Sequence, residues 1–367
     1  VAMSYGSPLI LLLLGGFMLS GALARSGGHR RLAMAMIRLC ARLGRRGLVL
    51  GFMLAAASLS MWISNTATTL MLLPVALAVL EDERLRSMTL PLLLGTAYAA
   101  SLGGTGTPIG TPPNLIYMQV AADQFGVQTS FPVWMSWGLP IVFLVLPLMF
   151  LWLTRKVEPG ELRALEVPSQ WSPSEKRLLV LFGTVALLWM TRTAPFGGWQ
   201  EWLNLPYAND AAVALLAVVV ACAIPDGRGG RLLDWETAGN IPWGVLLLFA
   251  GGITIARGFI ETGLSDTLAA QLTVLADLPT WLMVLSICLG VTFLTEMTSN
   301  TATTSLLMPV LAATAVAADI QPELLMVPAA ISASCPSRGS ASSAQPASTS
   351  CSLSSASAST AAARTSP

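Results

Sequence analysis

The sequence predicts an all-α, polytopic membrane protein with two inverted-topology repeats, each holding a re-entrant helical hairpin and a broken helix. Three observations predict it. Apolar residues dominate, several apolar runs have membrane length, and one polar hexapeptide occurs twice, each time inside a long apolar segment.

Of the 367 residues, 54% are hydrophobic and 11% charged. A soluble globular protein carries roughly 25% charged residues. Lipid as the solvent for much of the surface accounts for the difference. The formal net charge of +1 points to no partner and gives no reason to expect nucleic acid. Cys40, Cys222, Cys288, Cys335 and Cys351 fall in no metal-ligand spacing. His29 is the single histidine, sits among arginines and reads as a solvated loop residue. Zinc chemistry is therefore disfavoured. The glycine-rich run 103–110 lacks the Lys-Ser/Thr ending of a phosphate-binding loop. No nucleophile–base pair is visible, so an enzyme is not expected. The start has no cleavable-signal pattern. It lies almost inside an apolar run, which leads us to expect an incomplete N-terminus.

Along the chain, apolar runs at 8–24, 133–153, 178–189 (extending toward 194), 208–224 and 241–256 approach the roughly 20 residues of a crossing. Segment 90–122 is also apolar but is broken by glycine and proline. Segments 48–80 and 281–317 each carry a central Ser-Asn-Thr triplet. Their arms are short for full crossings, so each segment is expected to form a re-entrant hairpin. Such non-helical backbone at membrane depth must be buried in protein or line a wet cavity. The expected organisation is a first repeat over 1–122 (hairpin 48–80, broken helix 90–122), linking helices over 133–225, a second repeat over 241–335 (hairpin 281–317), and a tail over 336–367.

Sixteen of the 20 basic residues fall around residues 25–46, 84–86, 155–177 and 228–231. By the positive-inside rule the first group is expected to be cytoplasmic, and a re-entrant 48–80 would keep both of its basic flanks on that side. The first hairpin then opens to the cytoplasm and the second, whose flanks lack Lys and Arg, to the outside. The tail 336–367 differs abruptly: 12 of its 32 residues are serine and eight alanine. It cannot span a membrane or build a core. We expect it to be a non-native continuation, produced by a reading-frame shift or faulty gene model.

The duplication is the strongest signal. Ser64-Asn65-Thr66-Ala67-Thr68-Thr69 recurs as Ser299-Asn300-Thr301-Ala302-Thr303-Thr304, with Pro74 and Pro309 ten residues after each serine. Inverted repeats with broken helices meeting at the midplane are a transporter signature. Hydroxyls, amides and helix N-termini suit an anion, while freed carbonyls suit a hard cation. The second arms are expected to start at Ala67 and Ala302, with their N–H groups aimed at the triplets. Ser60 and Thr295 lie four residues before the triplet serines and are expected to share a helix face with them. In the loop ending Gly110-Thr111-Pro112-Pro113-Asn114, the prolines lack N–H donors, which should free upstream carbonyls. Glu296, at membrane depth, is expected to play a structural hydrogen-bonding part; proton coupling is the other reading.

The two Ser-Asn-Thr motifs, the Gly110–Asn114 loop and the Pro242-Trp243…Phe249-Ala250-Gly251-Gly252 run resemble the divalent anion/sodium symporter family. The resemblance implies a sodium-coupled, elevator-type carrier of dicarboxylates, working as a homodimer in the inner (plasma) membrane. It also implies a first sodium at Ser60, Ser64, Asn65 and Gly110, and a second at Thr295 and Asn300. Substrate would meet Ser64, Asn65, Thr66, Ser299, Asn300 and Thr301, with Thr111 and Pro112 from the loop. Sulfate or another oxyanion in the same architecture is the alternative.

Overall fold

The computed structural model describes residues 5–158, 160, 171–193, 197–227, 229–264, 267, 279–317 and 320–334. The tail 336–367 lies outside them. Apart from a Pro225–Arg231 bridge, all regular structure among the described residues is helical.

The first crossing, α1 (Pro8–Ser26), starts on the Ser7 hydroxyl, which accepts from the Leu9 N–H. It ends at Gly27, whose φ of 76° only glycine adopts without strain. The arginine-rich stretch that follows is a helix, α2 (Gly28–Ala41), with Ala33 and Ile37 turned inward. His29 corrects its expected solvated state: it is half-buried, and its Nδ1 meets the Leu23 carbonyl at 2.8 Å. The ring joins the Ser26 hydroxyl (3.0 Å) in donating to this last-turn carbonyl of α1, a role its charged neighbours conceal in the sequence.

Next come a helix pair, α3 (Gly44–Ser60) and α4 (Asn65–Leu80), and a broken helix, α5 (Thr89–Gly104) and α6 (Pro112–Phe125). Then follow α7 (Phe131–Thr154), α8 (Pro173–Met190), the short α9 (Gly198–Trp202), α10 (Asp210–Ala223), the short α11 (Trp235–Gly239) and α12 (Trp243–Glu261). A second pair, α13 (Thr280–Met297) and α14 (Asn300–Ala317), leads to α15 (Pro322–Ser334). The helices α1, α7, α12, α13 and α14 are long and apolar enough to cross a membrane. Along α7, Phe143, Leu144, Leu148 and Leu151 are exposed, which suits a helix whose solvent is lipid.

Two apolar cores organise these helices. One is built on α2–α5 and the later turns of α7, the other on α1, α6, the first turn of α7, α8, α10 and α12–α15. The broken helix therefore passes from one core to the other, and residues 105–111 lie at the seam. Arginines gather at one end of the bundle. Arg25 pairs with Asp234, and Arg31 with Glu175 at 3.1 Å. Arg46 donates to the Val157 carbonyl and Arg177 to that of Pro225. The pairs Arg192–Asp210 and Arg257–Asp123 involve the opposite ends of α8, α10, α12 and α6.

Candidate substrate and cation site

The first pair turns between Ser60 and Asn65. The second arm begins at Asn65, two residues earlier than expected, because the triplet serine is itself the N-cap: Ser64 Oγ accepts from Ala67 N at 3.3 Å. Ser60 and Ser64 consequently do not share a helix face, since α3 ends at Ser60. Ser60 reaches across the turn instead, and its Oγ donates to Asn65 Oδ1 at 2.6 Å. Trp62, in the turn, stacks on Phe131 and Trp189 and meets Phe182 edge-on. This aromatic contact carries the tip of one core into the other.

The break 105–111 is pressed against that tip. A Cβ on Gly104 would lie 2.5 Å from Asn65 Oδ1, and one on Gly110 would lie 2.4 Å from the Gly104 carbonyl. Both positions exclude a side chain. Thr107 donates to the Met61 carbonyl in the turn. The Asn114 amide donates to the carbonyls of Gly104 (3.1 Å) and Thr107 (2.7 Å). Trp134 Nε1 donates to the Thr105 carbonyl at 2.9 Å. The prolines act differently from expectation. Pro112 and Pro113 occupy the first turn of α6, where N–H groups have no helical partner in any case. Side chains already hold the carbonyls of Gly104, Thr105 and Thr107.

The second tip repeats part of this pattern. Thr304 donates to the Asn300 carbonyl at 2.7 Å, as Thr69 does to that of Asn65 at 2.9 Å. Its first arm runs on to Met297, so Thr295 and Ser299 are not on one helix. The Thr295 hydroxyl turns back to the Thr292 carbonyl, and Thr298 pairs with Thr303. Ser64, Thr66 and Ser299 are exposed, Asn65 and Asn300 half-buried, and Thr301 and Thr111 buried. Ser334, in the last turn of α15, donates to Thr111 at 3.4 Å, which joins the break to the second half of the chain.

Ser60, Asn65 and Gly110 are thus brought together around Gly104. The hydrogen bonds of Thr295, Thr298, Thr303 and Thr304 stay within the second pair. Sequence reasoning missed Trp62, Thr107, Asn114 and Trp134 as builders of the site. Asn114 and Thr107 were open to view as buried-type polar residues within an apolar segment. Trp62 and Trp134 carry no such signal, since their rings suit any apolar core.

No Asp, Glu, Lys, Arg or His occurs between residues 47 and 80 or 87 and 122. Among the described residues, no cluster of His, Cys, Asp and Glu could hold a metal ion. The donors are hydroxyls, carboxamides and backbone groups. That set offers neutral oxygens to a hard cation and N–H or O–H groups to an anion, without a competing fixed charge.

The chain matches the citrate transporter family over residues 1–331. It is 36% identical over 361 residues to the sodium-dependent dicarboxylate transporter SdcS of Staphylococcus saprophyticus, covering 91% of this chain and 69% of that protein. The protein of the same name from Staphylococcus aureus strain USA300 is 35% identical, with coverage of 91% and 68%.

Proposed function

Because the chain belongs to the citrate transporter family, and is thus a multi-pass membrane transporter, we propose that it carries C4-dicarboxylates such as succinate together with sodium. The observation that carries this reading is the first tip: Ser60 bonded to Asn65, with Asn65 against Gly104 and Gly104 against Gly110. Two chain breaks meet there without any ionised side chain. A dianion taken from water into a weakly polarisable medium pays a large desolvation cost. Sodium ions bound beside it offset the charge, and the site's oxygens are the ligands such ions prefer. This explains a dianion site that holds no arginine.

In this reading the first sodium lies at Ser60, Ser64, Asn65 and Gly110, and the second at Thr295 and Asn300. The substrate carboxylates meet the two triplets with Thr111 and Pro112. The carrier works as a homodimer by an elevator movement of the two tips together. The test is uptake of radiolabelled succinate and sulfate into proteoliposomes, with and without an inward sodium gradient. Succinate uptake that requires sodium is the expected result. Sulfate uptake without succinate uptake would overturn the substrate, and uptake driven by a proton gradient alone would overturn the coupling ion.

A further inference from the structure

Asn114 does not belong to either triplet and contacts neither hairpin arm by its own hydrogen bonds. It is nevertheless fully buried and holds two separate points of the chain break. Its orientation is fixed by chemistry. Both neighbours are carbonyl oxygens, which only accept, so the carboxamide must present its nitrogen to them.

The bonds close into a ring. Asn114 holds the Gly104 carbonyl, and Gly104 abuts Asn65 Oδ1. Asn65 accepts from Ser60, and Ser60 adjoins Met61. Met61 accepts from Thr107, whose own carbonyl returns to Asn114. Each link fixes the next, so the spacing between the turn oxygens and the break depends on Asn114. Its Oδ1, also buried, has no hydrogen-bond partner among the described residues. A buried acceptor in that state is a departure from the rule that such groups are paired.

We propose that Asn114 is a positioning residue of the first cation half-site, setting sodium affinity by holding the break against the first tip. The proposal rests on the sodium-coupled reading above. The full 367-residue chain is reconstituted as wild type, Asn114→Ala and Asn114→Ser. Succinate uptake is measured against sodium concentration, and the sodium-induced rise in thermal midpoint is measured on purified protein. Alanine is expected to raise the half-saturating sodium concentration at least tenfold and to shrink the thermal response. The succinate KM at saturating sodium should stay within about twofold of wild type. Serine, which retains one donor, should fall between. Should alanine not fold, serine carries the test by the same two readouts. Wild-type sodium affinity in the folded variants would overturn the proposal alone. Wild-type protein indifferent to sodium would overturn the coupling reading and the proposal with it.

Discussion

Asn65 is the residue on which the first tip converges: its Oδ1 accepts from Ser60, and Gly104 leaves no more room than a hydrogen beside it. Its counterpart Asn300 occupies the same place in the repeated hexapeptide, with the same threonine back-bond to its carbonyl. Alanine at either position removes both the acceptor and the donor of the carboxamide. Asn65→Ala and Asn300→Ala are each expected to abolish succinate uptake in proteoliposomes while leaving the protein in the membrane fraction. Near-normal uptake by either variant would refute the site assignment. The asparagines were legible because they repeat; the glycine was not. In the sequence Gly104 is one of several in a flexible-looking run, and only the approach of Asn65 identifies it as a position of the site that cannot bear a side chain.

At the level of elements, the helix pairs and the broken helix were legible because polar residues interrupt long apolar runs. The second arms start two residues earlier than expected, at Asn65 and Asn300, and in the first pair the reason is that a serine that reads as a ligand also serves as a cap. Helix α2 was concealed, because its arginines satisfy a loop reading as well as a basic amphipathic face. Its junction with α1 yields a pH prediction. Burial holds His29 below the usual histidine value; the Leu23 carbonyl opposes this, and nearby Arg30 reinforces it. As pH falls below the ordinary value of about 6.5, the unfolded chain takes up the proton first. The stability of the junction is thus complete above that pH and is lost as pH falls through the folded value. Thermal unfolding in detergent should show the wild type losing more stability than His29→Gln between pH 8 and pH 5.5. An equal loss in both proteins would exclude His29 as the cause.

On the scale of the whole molecule, two cores meet along a seam, and the break 105–111 lies there with Trp62 crossing from one to the other. The order of the elements on either side is similar. Helix α5 packs on both arms of the first pair, and α15 packs on both arms of the second. The end of α5 sits at the first tip, where a Cβ on Gly103 would strike the backbone of Ala57 at 2.2 Å and Gly104 meets Asn65. By the repeat, the end of α15 belongs at the second tip. That end is Ser334, and it bonds to Thr111, the last residue of the break that covers the first tip. One short path, Asn65, Gly104, Gly110, Thr111 and Ser334, thus joins the first tip to the end of α15. We predict that Ser64 and Ser299, 235 positions apart in sequence, lie near each other at mid-membrane with their hairpins entering from opposite faces. With the native cysteines replaced, a Ser64→Cys/Ser299→Cys pair should be joined by a short bifunctional maleimide. Cysteines on the flanks of the two hairpins should be labelled from opposite sides of sealed vesicles. If the pair is not joined, or both flanks are labelled from one side, the inverted arrangement is wrong, and a site shared between the two triplets falls with it.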